Sequence, residues 1–135
     1  MSEANKALAR EFYEKVNAGD LSVIDSHIAD DFIEHEAFPG ITQDKAGIRQ
    51  FFEMMRAAFP DFRLTAEDVI AEGDKLVVRF RMHGTHRGEF MGMPATGRQI
   101  DVAGVDILRL VNGKAVEHWG VTDTGAMMQQ LGMGA

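Results

Sequence analysis

Three carboxylates stand among apolar residues in the last third of the chain, spaced as acid/base chemistry would need them. Val105-Asp106-Ile107-Leu108-Arg109-Leu110 runs into Asn112-Gly113 and returns as Val116-Glu117-His118-Trp119-Gly120-Val121-Thr122-Asp123. An Asn-Gly pair between apolar runs signals a hairpin, because both central residues of that turn take positive φ. With a two-residue loop, Leu108 opposes Glu117, Asp106 opposes Trp119 and Val102 opposes Asp123. Alternation across a sheet then puts Asp106, Glu117, Trp119 and Asp123 on one face with Val102, Leu108 and Leu110. Carboxylates on an apolar face are costly to desolvate, and a pocket is the simplest explanation. Beside a bound carbonyl compound, such a group can move a proton to or from carbon. Asp106 and Asp123 are the candidate catalytic carboxylates. Glu117 would contact substrate, and Trp119 would give a planar ligand a flat apolar wall.

His35 falls where the chain would meet the cavity mouth, and imidazole near a carboxylate makes a proton-transfer pair, so His35 is a candidate catalytic residue; Glu36 beside it would contact substrate. His83, His86 and His118 fall on the opposite parity or in a loop, and read as outer-face or interface residues. No two histidines share a helix or strand face at metal-binding spacing, apart from His83 and His86 at a strand end, so no metal is expected. There is no Gly-x-Gly-x-x-Gly or P-loop pattern and no cysteine, which leaves no phosphate cradle, disulfide or thiolate chemistry.

A strand, a turn and a second strand must hold these groups, and the rest of the chain must back them. At 135 residues the chain is expected to form a single domain over 1–135 around one core. The formal net charge of −7 and the absence of a Lys/Arg cluster argue against nucleic acid or anionic membrane as partner. No run approaches a membrane span, and the N-terminus lacks a signal-peptide pattern, so the expected location is cytoplasmic.

The first half reads as helical. Leu8, Phe12 and Val16 form a stripe from about Glu3, stopped at Gly19. Asp20 caps a short second helix carrying Leu21, Ile24 and Ile28. Asp31 to Glu36 reads as extended, closed by Pro39-Gly40. Asp44 caps a third helix with the core stripe Ile48, Phe51, Phe52, Met55 and Phe59, ended by Pro60. After Pro60 the period becomes two: Phe62-Leu64-Ala66 toward Ile70, the turn Glu72-Gly73-Asp74, then Leu76 to Thr85. Phe80 and Met82 alternate inward there and would contact substrate. Gly88 to Gly97 is a loop before the strand Arg98 to Val111, and Thr124 to Leu131 forms a closing helix. Helices followed by a four-strand antiparallel meander make an α+β fold, a sheet curled over helices. Its other face, Arg79, Arg81, His83, Asp101, Ala103, Val105, Ile107 and Arg109, mixes charge with apolar residues and suits a homodimer interface.

The order of short motifs resembles the SnoaL-like polyketide cyclase (ester cyclase) family of the nuclear transport factor two-like superfamily. It rests on Asp30-Asp31-Phe32-Ile33-Glu34-His35, Phe59-Pro60-Asp61-Phe62 and Gly84 through Gly92. Pro94-Ala95-Thr96-Gly97-Arg98, Val105-Asp106-Ile107, Asn112-Gly113-Lys114 and Trp119 through Asp123 complete it. Each is weak alone; in this order they cover nearly the whole chain. The resemblance implies a cone: a curved antiparallel sheet of four to five strands wraps three N-terminal helices and leaves an apolar cavity. It implies an apolar or aromatic small-molecule ligand, dimerisation through the outer sheet face, and ring closure by intramolecular aldol condensation. That chemistry uses an acidic sheet residue and no cofactor.

Steroid isomerases of the same superfamily are a more distant likeness. Their aspartate before the last hairpin turn falls on Asp106, and their base near His35 or Glu36. Their tyrosine falls on Phe12, with Tyr13 one residue off register. Without a phenol at Phe12, the isomerase reading is disfavoured, and Phe12 becomes a substrate contact. A non-catalytic binder of an apolar ligand, and a dehydratase or hydrolase on the same scaffold, remain as alternatives. Epoxide hydrolysis usually needs an Asp-Arg-Asp set, and no arginine shares the Asp106 face.

Overall fold

The structure is a computed structural model that describes residues 2–132; Met1 and residues 133–135, part of the expected domain, lie outside that range. The elements run α1 (Ser2–Asn17), α2 (Ser22–His27), β1 (Ile28–Glu34), α3 (Lys45–Ala58), β2 (Arg63–Glu72), β3 (Lys75–Thr85), β4 (Gln99–Val111), β5 (Lys114–Thr122) and α4 (Thr124–Gln130). Among the described residues no helix is long and apolar enough to cross a membrane.

Local chemistry accounts for the element ends. The Asp44 carboxylate accepts from the Gly47 amide at 3.0 Å and starts α3, satisfying one of the amides a helix leaves open. Phe52, Met55 and Ala58 of α3 are buried, and so is Phe59 just beyond it. Asn17, the last residue of α1, treats β2 as a strand would: its amide donates to Leu64 O at 2.8 Å and its carbonyl accepts from Leu64 N at 2.7 Å. That two-way bond fixes α1 over the inner face of the sheet.

The strands form one sheet in the order β1-β5-β4-β3-β2. The last four are the antiparallel meander the alternation predicts. β1 joins the β5 edge in parallel, so the sheet is mixed, and with β1 and β2 as separate edges it curves without closing. Gly104 lies where the Phe80 ring folds over the neighbouring strand. A Cβ on Gly104 would come within 2.2 Å of the ring tip, so only glycine lets that ring lie flat on β4.

One feature of the hairpin overturns the expected register. Asn112 and Gly113 take φ of 51° and 78°, as the turn requires, and Leu110 faces Ala115 as expected. The next pair, however, is Arg109 with Glu117, followed by Leu108 with His118, Ile107 with Trp119 and Asp106 with Gly120. Val116 is therefore an extra residue on β5, a β-bulge that leaves two residues opposite one. A one-residue slip exchanges the two faces. Beyond the bulge His118, Gly120 and Thr122 share the face of Asp106, and Glu117, Trp119 and Val121 share the face of Ile107.

Candidate active site

The helices and the concave sheet face enclose a cavity of about 200 Å³. Its walls are largely aromatic and aliphatic: Phe12 from α1, Phe51 and Phe52 from α3, and Phe80 and Met82 from β3. These include three of the expected substrate contacts, Phe12, Phe80 and Met82. A polar strip crosses this lining, made by Tyr13, Glu34, Glu36, Asp106, His118 and Thr122. Among the described residues no lysine or arginine lines the cavity.

Asp106 is the centre of the strip. The inward parity of β4 presents its carboxylate, and two donors hold it. The Tyr13 hydroxyl donates to Oδ2 at 2.5 Å, and His118 Nε2 meets Oδ1 at 2.7 Å. His118 Nδ1 meets Glu34 Oε1 at 2.5 Å, and that oxygen also accepts the Glu36 amide at 2.9 Å. The parallel pairing of β1 with β5 sets Glu34 beside His118. The imidazole is thus clamped between two carboxylates. Burial would push it down, but hydrogen bonds to Asp106 and Glu34, and their charges, hold its pKa up at about 10. His118 is therefore an imidazolium at neutral pH, paired on both sides. Burial, then the charge of and hydrogen bond to Asp106, push the Tyr13 phenol well above its usual range, so it keeps its proton and acts as a donor.

Glu36 stands just past β1, facing the same space. Its Oε2 accepts from the Thr122 hydroxyl at 3.1 Å. Burial pushes its carboxyl up, His118 pulls it down, and Asp106 adds to the rise, leaving it above the ordinary value. Gly120 makes the room: a Cβ there would sit 2.5 Å from Glu36 Oε1 and 2.7 Å from His118 Cε1.

Four expected site residues lie elsewhere. Trp119 and Glu117 are turned to the outer face by the bulge at Val116, and His35 joins them there. The His35 ring stacks on Trp119 with centroids 4.9 Å apart and planes 7° from parallel. His35 Nε2 meets Glu117 Oε2 at 2.6 Å, and Arg109 donates to Glu117 Oε1 at 3.0 Å. Hydrogen bonds from His35 and Arg109 hold the Glu117 carboxyl below its usual range. Asp123 is exposed and accepts from the Ala126 amide at 3.0 Å as the N-cap of α4. This is the capping role its position before Thr124-Gly125 allows.

Conversely, sequence reasoning missed His118, Glu34 and Tyr13 as site residues. The unbulged register puts His118 on the outer face, and the bulge at Val116 turns it inward. The phenol position assigned to Phe12 is filled by its neighbour: Tyr13 enters the cavity, which removes the ground on which an isomerase was disfavoured. Ala9, Tyr13 and Val16 recur at helical spacing beside the Leu8–Phe12–Val16 stripe, a signal that was legible.

Glu36, Asp106 and His118 each present a ligand atom within 4.8 Å of the others, the spacing of a three-ligand metal site. The fit is poor at neutral pH, because both His118 nitrogens are engaged by carboxylates and the ring is held protonated. A ligating histidine must be neutral with a free lone pair.

The family model for SnoaL-like polyketide cyclases matches residues 7–131. The nogalonic acid methyl ester cyclase of Streptomyces nogalater is 27% identical over 118 residues, covering 86% of this chain and 88% of that protein. The aklanonic acid methyl ester cyclase DnrD of Streptomyces peucetius is 35% identical over 54 residues, 40% of this chain and 37% of that protein. Among solved structures, AclR from Streptomyces galilaeus superposes with a TM-score of 0.89 at 32% identity, covering 100% of this chain and 89% of that one. IdmH from Streptomyces antibioticus superposes with a TM-score of 0.82 at 34% identity, covering 95% and 98%. With matching sequence and fold, this chain belongs to the SnoaL-like polyketide cyclase family.

Proposed function

We propose that this protein closes a ring in a polyketide-like carbonyl compound by intramolecular aldol condensation, using its own acid/base groups and no cofactor. The observation that carries this reading is the Asp106 carboxylate in an apolar cavity, gripped by the Tyr13 hydroxyl and the His118 imidazolium. Asp106 takes a proton from the carbon between two carbonyls. The resulting enolate carbon bonds to an internal carbonyl carbon, whose π pair moves onto oxygen, and a proton returns to that alkoxide. His118 and Tyr13 keep Asp106 oriented, and a largely aromatic and aliphatic cavity holds the chain folded with its reacting atoms close. An isomerase reading has its phenol in Tyr13, but that hydroxyl is committed to Asp106 rather than free for a substrate oxygen. The cyclase reading is favoured.

The test uses nogalonic acid methyl ester, the compound named for the relative. The ring closes by aldol addition without loss of water, an isomerisation, so the product should keep the substrate's mass and change its retention and absorbance. The charge of the cavity sharpens the expectation. It offers Glu34, Glu36 and Asp106, and its imidazolium is already shared between two carboxylates. A free carboxylate on the substrate would meet like charge and no cation that is not already paired, so kcat/KM for the ester should exceed that for the free acid by roughly 10–100-fold. Equal values for both would contradict this account of the cavity.

The outer face supports a homodimer. Val105 pairs with Val121 and Ile107 with Trp119 across β4 and β5, and Val121 is 74% exposed. Arg81 and Asp101 form an ion pair of 2.7 Å near this strip. A dimer through this face would bury the apolar strip. Sedimentation at micromolar concentration should show a dimer, and Arg81→Glu should weaken it; a wild-type monomer there would rule it out.

A further inference from the structure

We propose that Glu36 is the proton donor of the ring closure, acting opposite to Asp106; the inference rests on the aldol reading above. Both Asp106 oxygens are already engaged, Oδ2 by Tyr13 and Oδ1 by His118. A carboxyl so held is suited to taking a proton from carbon but badly placed to swing toward a second atom. Glu36 is held through only one oxygen. Its Oε2 accepts from Thr122, and among the described residues its Oε1 has no hydrogen-bond partner. Gly120 leaves the space against that free oxygen open, since a Cβ there would stand 2.5 Å away.

The spacing fits the reaction. Glu36, Asp106 and His118 each bring one atom within 4.8 Å of the others. In a reactive conformer the carbon losing its proton and the carbonyl receiving the new bond lie about 3–3.5 Å apart. Two carboxyl groups at this separation can serve the two ends of one folded substrate. Burial favours the protonated form of Glu36, while both Asp106 oxygens accept hydrogen bonds from Tyr13 and His118; two carboxyl groups in such different settings can take opposite roles. Asp106 accepts the carbon-bound proton as the C–C bond forms. The carbonyl π pair becomes the alkoxide, which takes the Glu36 proton. Asp106 is then protonated and Glu36 ionised, and proton transfer between them, directly or through water, resets the site.

Deuterium exchange separates the two roles. Incubated in D2O with nogalonic acid methyl ester, the wild type should catalyse both exchange of the activated C–H and cyclisation. Glu36→Gln should keep enzyme-dependent exchange within about threefold and lose cyclisation by roughly 10²-fold or more. Glu36→Asp, which restores an acid one methylene shorter, should recover at least about tenfold over the Gln variant. The alkaline fall in kcat/KM, where the donor loses its proton, should disappear in Glu36→Gln. A Gln variant that cyclises at the wild-type rate overturns the role of Glu36 and leaves the aldol reading standing. Loss of exchange as well would make Glu36 the base and overturn the assignment. A wild type that exchanges but never cyclises removes the aldol reading, and this inference with it.

Discussion

Replacing Asp106 by Asn should lower turnover of a poly-β-ketone ester by roughly 10²–10⁴, the usual share of general acid–base catalysis. The side chains are nearly the same shape, so the cavity is kept, but the amide cannot take the carbon-bound proton. Exchange of the substrate C–H into D2O should be lost in parallel. Stability should also fall, by about 1–3 kcal/mol, because Tyr13 and His118 both lose a charged acceptor in a half-buried setting. Measuring the melting transition and the turnover of one preparation separates three cases. A slow variant with a modest stability loss fits the proton shuttle. A binder would show altered affinity and no turnover in either form. A destabilised variant with undiminished turnover would take Asp106 out of the chemistry and leave Glu36 as the base.

Asp106 was legible in the sequence because its environment is local. It breaks an apolar alternation on a long strand, and the Asn112-Gly113 turn announces where that strand ends. The cap at Asp44, the core stripe of α3 and the meander were legible for the same reason: each is set by residues a few positions apart. The bulge was not. Ala115-Val116-Glu117 contains no glycine or proline to mark an extra residue, and Val116 suits a regular strand as well as an irregular one. That single insertion moved Trp119 and Glu117 outward and His118 inward. Glu34 was hidden for a different reason. Its partner stands 84 positions away on β5, reached through the parallel pairing of β1, which no local pattern declares. The outward cluster of His35, Trp119, Glu117 and Arg109 shows the consequence: residues of the right chemistry did gather, but on the convex side of the sheet. The cluster meets His118 through the backbone, His35 donating its amide to His118 O at 2.9 Å.

The clamp on His118 should give the protein an alkaline limit to its stability. The imidazole has an ordinary pKa of 6.5 and is held at about 10 in the fold. A group whose pKa is raised by folding contributes its full stabilisation below the unfolded value and loses it as pH rises through the folded one. Stability should therefore be greatest near or below pH 6.5 on this account and decline between 6.5 and 10, by an amount on the order of several kcal/mol. The Tyr13 phenol is also raised by folding, so its own contribution is lost only above pH 10 and leaves that window to His118. His118→Gln removes the cation and strands Glu34 and Asp106 together in a poorly solvated strip. Breaking a buried pair from one side costs about 3–5 kcal/mol, which for a chain of this size lowers Tm by roughly 10 °C or more at pH 6.5. The variant should also lose most of the decline with pH, so the two melting curves converge as pH approaches 10. Thermal melts of both proteins at intervals from pH 6 to 9.5 supply the measurement. A wild-type Tm that stays level across the window would mean that His118 is not held as a cation, and Asp106 would lose the charged partner that this account gives it.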